Sequence, residues 1–222
     1  LGSLDIVVNN AGVIRDKMLF NMSDEDWDLV LKVHLRGHFL LSRNAASHWR
    51  SAYKRTGEQV YGRVVNTASE AFLVGSPGQP NYAAAKGGIT ALTLSTARGL
   101  GRMGVRANAI CPRARTAMTE DVFGEDTSGG AVDPLSPEHV APLVAYLASP
   151  AADQITGQVF VAYGGMVALL AAPVVEQRFD AQSDTWDLAD LDKQLGSYFA
   201  ERDPAKGFAA DSVMTIADQP LG

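Results

Sequence analysis

The chain has 222 residues, of which 46% are hydrophobic and 20% are charged, and its formal net charge is −6. This composition predicts one globular domain with a sizeable core, and the acidic balance gives no indication of a nucleic-acid or membrane partner. The single cysteine, Cys111, excludes an intramolecular disulfide framework and favours a reducing, cytoplasmic compartment, and the four scattered histidines show no metal-ligand spacing, so no metal is expected.

Strands and helices alternate along the chain. Apolar runs bounded by turn residues predict buried strands over 4–8, 62–69, 104–112 and 157–165. Helical periodicity and helix-start signals predict helices over 22–50, 82–100 and 136–149. This alternation is typical of an α/β fold with a doubly wound, Rossmann-type parallel sheet.

Small, polar and turn-forming residues follow the predicted strands. They occupy Asn9 to Gly12, Thr67 to Ser69 and Pro112 to Thr119. In doubly wound sheets, ligands bind beyond the carboxyl ends of the strands. We therefore expect a site assembled from these separate segments and from the start of the helix that follows the second strand.

That helix begins with Tyr82 and Lys86, which lie one turn apart and therefore share a face. A free phenol has a pKa near 10, which is too high for a base at neutral pH. A neighbouring ammonium favours the phenolate, so this pair could form an acid/base group with a lowered phenol pKa. The pair alone also fits two solvated side chains on an amphipathic helix.

Several motifs carry a family resemblance over about residues 1–165. The stretch NNAG (9–12), Ser69, and YAAAK (82–86) resemble the short-chain dehydrogenase/reductase family in type, order and position. The stretches DEDWD, VHLRG, GQPNYAAAK and SPEHVAPLV are similar to the dehydrogenase part of the peroxisomal multifunctional enzyme type 2 branch. This resemblance implies NAD-linked oxidation of a secondary alcohol, either a (3R)-hydroxyacyl-CoA or a hydroxysteroid.

The resemblance also implies roles for individual residues. Tyr82 would be the acid/base, Lys86 would tune it and bind the nicotinamide ribose, and Ser69 would hold the substrate oxygen. The turn of Asn10, Ala11 and Gly12 would lie against the adenosine ribose. Pro112 and either Thr116 or Thr119 would contact the carboxamide or pyrophosphate of the cofactor.

Two positions depart from the common family pattern. His34 stands where most members carry an asparagine that helps hold a proton-relay water, and Arg113 follows Pro112 where most members carry glycine. His34 could still hold that water, but it could equally be a hydrogen-bonded histidine packed inside the protein.

The ends of the chain also differ from the family pattern. No Gly-rich, pyrophosphate-binding turn stands before residue 9. The resemblance therefore implies a longer polypeptide with roughly 80 residues of β-α units ahead of this point. Residues 1–165 are expected to be the catalytic half of the fold. Residues 166–222 are expected to be an extension that packs on the core, the cleft or a dimer partner, with an amphipathic helix over 188–201.

Three functions remain open from the sequence. The first is an NAD-dependent dehydrogenase, and NADP is not excluded. The second is an NADPH-dependent 3-ketoacyl reductase, and the third is a non-catalytic fragment or dimerising scaffold. In each case the helices over 23–50 and 82–103 are apolar on more than one face, which predicts a homodimer or higher homo-oligomer.

Overall fold

A computed structural model of the chain describes residues 3–116, 118–119, 124 and 133–216. Strands from this part form one sheet, with β1 (Ile6–Asn9), β2 (Gly62–Thr67), β3 (Val105–Pro112), β4 (Val159–Tyr163) and β5 (Met166–Leu169). The strands lie side by side in chain order, β1 to β4 parallel and β5 antiparallel to β4. The predicted α/β fold is confirmed. The antiparallel fifth strand was not predicted.

Helices occur between these strands and after the last of them along the chain. They are α1 (Asp24–Leu31), α2 (Gly37–Thr56), α3 (Ala71–Val74), α4 (Pro80–Leu100), α5 (Ala141–Ala148), α6 (Leu188–Leu191) and α7 (Ser197–Glu201). A π-helical segment, Lys32–Arg36, joins α1 to α2, and a second, Asp192–Gly196, joins α6 to α7. Short 3₁₀ turns occur at Leu19–Asn21, Gly101–Met103, Pro137–His139, Pro150–Ala152 and Asp211–Val213.

The core lies on both faces of the sheet, as expected for strands that alternate their side chains between two helical layers. Every residue of β2 is buried. Val64 packs with Trp49 of α2 on one face, whereas Val65 packs with Leu143 and Leu147 of α5 on the other. The adjacent apolar residues Val64 and Val65 are therefore a consequence of burial on two sides of the sheet.

Strand β1 lies at one edge of the sheet. Among the described residues it pairs only with β2, in a register that sets Val7 opposite Val64. The side chains of Ile6 and Val8 are 44% and 45% exposed. The prediction that this strand is buried is therefore wrong, because β1 is an edge strand whose apolar side chains are partly exposed.

The chain divides into two compact units, Leu1–Leu170 with Asp211–Gly222, and Ala171–Ala210. The first unit contains the whole sheet and also Val213, which is 3% exposed and packs in a cluster with Cys111. The second unit contains α6 and α7, which together form the helix expected over 188–201. Within it, Arg202 forms an ion pair with Glu176 at 3.0 Å. The roles assigned to residues 1–165 and 166–222 stay predictions.

No helix in the described part of the chain is long and apolar enough to cross a membrane. No three side chains of the histidine, cysteine, aspartate and glutamate types lie close enough together there to ligate a metal ion. The cytoplasmic location inferred from cysteine usage stays a prediction.

Candidate active site

A cleft of about 150 Å³ opens at the carboxyl ends of β1, β2 and β3. It brings together residues that are up to 109 positions apart in the chain, from Asn10 to Thr119. Its lining includes every predicted site residue except Ala11, which is exposed. The lining residues are Asn10, Gly12, His34, Thr67, Ala68, Ser69, Tyr82, Lys86, Pro112, Ala114, Thr116, Met118 and Thr119.

Tyr82 enters the cleft from the first turn of α4. Pro80 occupies the start of this helix, where a missing N–H costs nothing. The preceding residue, Asn81, is fully buried and accepts a hydrogen bond from the Tyr82 amide at 2.7 Å. Its amide group donates to the carbonyl oxygens of Arg15 and Asp26 at 3.0 and 3.3 Å. Asn81 therefore fixes Tyr82 to the loop after β1 and to α1.

The pKa of Tyr82 differs from the sequence expectation. Burial of the phenol raises its pKa, and a side-chain hydrogen bond with Ser69 acts in the opposite direction. The expected net lowering of the Tyr82 pKa is wrong for this structure, because desolvation of the phenolate is the largest contribution and raises the pKa. Ser69 itself is held by the Ala71 amide, which donates to its hydroxyl oxygen at 3.2 Å.

Lys86 lies one turn further along α4 and is only 3% exposed. Its ammonium donates to the Thr67 carbonyl oxygen at 2.7 Å, and its Nζ lies 5.2 Å from the centroid of the Tyr82 ring. Burial lowers the pKa of Lys86 to about 8. Thr67 in turn donates from its hydroxyl to the Asn10 side-chain oxygen at 2.9 Å. This chain of hydrogen bonds ties the ends of β1 and β2 to α4.

His34 occupies the π-helical segment between α1 and α2, where an inserted residue changes the direction of the side chains. It is 1% exposed, and its Nε2 lies 2.7 Å from the Val13 carbonyl oxygen and 3.0 Å from the Val13 amide nitrogen. Its ring stands edge-on to Tyr82, with 5.2 Å between centroids. Burial, followed by the charge of Lys86, lowers the pKa of His34 to about 4. The ring is therefore neutral at physiological pH.

Gly12 is required by this histidine. A Cβ atom at position 12 would lie 2.6 Å from His34 Cε1, which is far inside van der Waals contact. From the sequence, Gly12 was expected to allow close approach of the adenosine ribose of the cofactor. In the structure, the group that approaches it is the imidazole of the same chain. Whether His34 also holds a relay water stays a prediction.

The two candidate threonines form a local turn at the cleft wall. The Thr119 hydroxyl donates to the Ala114 carbonyl oxygen at 2.6 Å and accepts from the Thr116 amide at 2.8 Å. Thr116 is exposed, whereas Thr119 is partly buried. The structure brings both to the cleft beside Pro112. Their contacts with a cofactor stay predictions.

Sequence reasoning missed two elements of this site. Asn81 lies within the stretch GQPNYAAAK but was given no role there, although an asparagine directly before a helix-start tyrosine could have suggested an anchor. The second is an ion pair between Glu70 and Arg113, two residues that immediately follow Ser69 and Pro112. Only their positions after two neighbouring strands could have suggested that they meet.

The tyrosine, lysine and serine thus converge at one strand-end cleft, as the sequence motifs implied. A family model described as enoyl-(acyl carrier protein) reductase matches residues 1–167. This chain belongs to the short-chain dehydrogenase/reductase family. It is an NAD(P)-dependent oxidoreductase by family, which confirms the predicted family and enzyme class.

Individual relatives agree with this assignment. The chain is 62% identical over 217 residues to hydroxyacyl-CoA dehydrogenase ChsB1 of Mycobacterium tuberculosis, covering 96% of this chain and 68% of that protein. It is 41% identical over 156 residues to the mouse peroxisomal multifunctional enzyme type 2, covering 70% of this chain and 20% of that protein. A short-chain dehydrogenase structure from Mycobacterium avium superimposes with a TM-score of 0.79 at 43% identity, covering 94% and 69% of the two chains.

Proposed function

We propose that this protein transfers a hydride between a 3-hydroxyacyl-CoA and NAD, with Tyr82 as the acid/base. The observation that carries the proposal is the convergence of Tyr82, Ser69 and Lys86 in one cleft, with Lys86 Nζ 5.2 Å from the centroid of the Tyr82 ring. The substrate class is supported by the similarity to the mycobacterial protein named hydroxyacyl-CoA dehydrogenase.

The residues of the cleft suit this reaction. Oxidation of a secondary alcohol requires removal of its hydroxyl proton, and Tyr82 is placed to take that proton or to return it in reduction. Ser69 would donate to the reacting oxygen, since its own oxygen already accepts from Ala71. Lys86 would favour the phenolate by charge attraction once the proton moves. His34, which is neutral, would keep the Tyr82 ring in place through its edge-on contact.

The cleft also fits a nicotinamide cofactor. An ammonium has three donors, and within the described part of the chain the Lys86 ammonium donates only to the Thr67 carbonyl oxygen. Two donors therefore remain for ribose hydroxyls. We assign Lys86 and Tyr82 to that ribose, Asn10, Ala11 and Gly12 to the adenosine side, and Pro112, Thr116 and Thr119 to the carboxamide or pyrophosphate. When bound, the nicotinamide ring supplies the hydride chemistry.

NAD is proposed over NADP because a structural relative with a TM-score of 0.61 and 31% identity is a 4-hydroxyisoleucine dehydrogenase complexed with NADH. That similarity covers 72% of this chain and 68% of the other. The second candidate function is an NADPH-dependent 3-ketoacyl reductase. This second function is supported by a sequence similarity: the chain is 40% identical over 170 residues to a 3-oxoacyl-[acyl-carrier-protein] reductase of Synechocystis.

A homo-oligomer is part of the proposal. Helices α2 and α4 leave Phe39, Leu41 and Leu94 exposed by 41%, 55% and 39%. A groove of about 200 Å³ lies between these two helices and contains Phe39. Exposed apolar side chains on two long helices are suited to pairing with a second copy.

The proposal is tested by measuring turnover of the purified protein with both enantiomers of a 3-hydroxyacyl-CoA and with a hydroxysteroid, each with NAD and with NADP. The expected result is preferential oxidation of the (3R)-hydroxyacyl-CoA with NAD. Faster reduction of a 3-ketoacyl thioester with NADPH would favour the second candidate. Turnover of the steroid alone would contradict the substrate class.

A further inference from the structure

An ion pair between Glu70 and Arg113 lies next to the candidate active site and has no part in the reaction proposed above. Arg113 Nε lies 2.6 Å from Glu70 Oε2, and its Nη2 lies 2.8 Å from Oε1, so the guanidinium binds the carboxylate through two parallel hydrogen bonds. The side chain of Arg113 is 15% exposed and that of Glu70 is 12% exposed. Bidentate, partly buried arginine–carboxylate pairs of this kind fix the relative orientation of the two side chains in addition to pairing their charges.

Each partner is joined to a different wall of the cleft. Glu70 follows Ser69 directly, and its carbonyl oxygen accepts from the Leu73 amide at 2.8 Å in the first turn around α3. Arg113 follows Pro112, and its amide donates to the Ala162 carbonyl oxygen of β4 at 2.9 Å. The pair therefore connects the loop that carries Ser69 to the rigid end of β3.

A third segment is held by the same guanidinium. Arg113 Nη2 also donates to the carbonyl oxygen of Val213, in the 3₁₀ turn Asp211–Val213. The Val213 side chain is buried in a cluster that includes Ala68, the residue directly before Ser69. The Tyr163 ring lies over the guanidinium, 5.7 Å from its centre. The segment at 211–213 thus rests behind the Ser69 loop.

From this arrangement we infer that Glu70 and Arg113 are positioning residues. They hold the Ser69 hydroxyl in the orientation that Tyr82 and the substrate oxygen require, and they secure the Asp211–Val213 turn against the back of the same loop. This inference rests on the proposed function for its kinetic consequence. Its structural part, the ordering of the Ser69 loop, is independent of which substrate is used.

The test compares Arg113→Ala, Arg113→Lys and Glu70→Gln with a matched control. Arg63 and Arg106 pair with Asp153 at 3.0 and 3.4 Å near the amino ends of β2 and β3, at the opposite end of the sheet. Asp153→Asn therefore removes ion pairs without contacting the cleft. For each protein we would measure kcat, the KM values of both substrates, thermal stability, and hydrogen exchange of the Ala71 amide and of residues 211–214.

The expected result is a kcat about 10- to 100-fold lower in Arg113→Ala, since a displacement of about 1 Å at a reacting group can cost this much. KM for the nucleotide should be unchanged, and hydrogen exchange should be faster at Ala71 and at 211–214. Arg113→Lys should have a kcat between those of Arg113→Ala and wild type, because lysine keeps the positive charge but cannot form the bidentate contact with Glu70. Asp153→Asn should lose thermal stability and keep its kcat.

An unchanged kcat in Arg113→Ala, an equal loss of kcat in Asp153→Asn, or unchanged exchange at both segments would each overturn the inference. If Arg113→Ala does not fold, Glu70→Gln is judged by the same criteria. If the wild-type protein shows no turnover, the proposed function fails. The exchange comparison then decides the inference alone, with faster exchange supporting it and unchanged exchange overturning it.

Discussion

Replacing Gly12 by alanine should destabilise the protein through a direct collision with His34. The added Cβ would lie 2.6 Å from Cε1 and 3.3 Å from Nε2 of the imidazole. Carbon atoms in contact normally stand about 3.5–4.0 Å apart, so the ring would have to retreat by about 1 Å. His34 is 1% exposed, is bonded to Val13 and faces the Tyr82 ring, so its ring cannot retreat without disturbing these contacts. Overpacking of this kind costs about 1–3 kcal/mol.

Urea unfolding of a double-mutant cycle tests this reasoning. The proteins are wild type, Gly12→Ala, His34→Asn and the double variant. Asparagine lacks the Cε1 and Nε2 atoms that the new methyl would meet, so the double variant should be more stable than the sum of the single changes predicts, by about 0.5–3 kcal/mol. Additivity within about 0.5 kcal/mol would refute the collision.

Gly99→Ala is the matched control for the cycle. Gly99 lies within α4, and a Cβ atom there would meet nothing within 4 Å. Alanine is the better helix former by about 0.5–1 kcal/mol, so this variant should be as stable as wild type or more stable. A loss of stability at both glycines would point to a general intolerance of alanine rather than to the His34 ring.

Three further predictions concern charge, pH and assembly. Burial lowers the pKa of Lys86 from 10.5 to about 8, so the folded state disfavours the charged form of this side chain. The unfolding free energy of Lys86→Met should therefore exceed that of wild type by about 3 kcal/mol more below pH 8 than above pH 10.5. A difference between the two unfolding free energies that does not change with pH would contradict this. The initial rate of alcohol oxidation should rise with pH and that of ketone reduction should fall, because oxidation needs the Tyr82 phenolate and burial raises the pKa of that phenol; an oxidation rate that falls with pH would contradict this. Light scattering at micromolar concentration should give the mass of a dimer or larger oligomer, and Leu41→Glu should lower it, because Leu41 is 55% exposed on α2; a monomeric wild type would contradict this.

Much of the fold could be predicted because burial leaves a direct mark on the sequence. Strands β2 and β3 are covered on two faces, and adjacent apolar residues such as Val64 and Val65 of β2 mark this burial in the sequence. The fixed spacing of Tyr82 and Lys86 in α4 likewise places both side chains at the cleft. In contrast, β5 has only four residues and follows directly on the Gly164–Gly165 turn, so its alternation is too short to distinguish from a loop.

The parts of the site that escaped prediction depend on contacts distant in sequence. The close approach of His34 to Gly12 depends on the π-helical segment Lys32–Arg36, and the periodicity of the sequence does not predict that segment. The raised pKa of Tyr82 depends on how deeply the phenol is buried, and spacing alone says nothing about desolvation. The pairing of Glu70 with Arg113 depends on β2 and β3 being adjacent, which only the topology determines.

The central claim is that Tyr82 transfers the proton, and Tyr82→Phe tests it most directly. Phenylalanine keeps the ring, its edge-on contact with His34 and its place beside Lys86, and removes only the hydroxyl. The measurement is kcat for 3-hydroxyacyl-CoA oxidation together with the Kd of NAD on the same preparation. The account predicts a kcat lower by about 10² to 10⁴ in a protein that still binds NAD, with a Kd raised only by the loss of one ribose contact. A kcat close to wild type would contradict it.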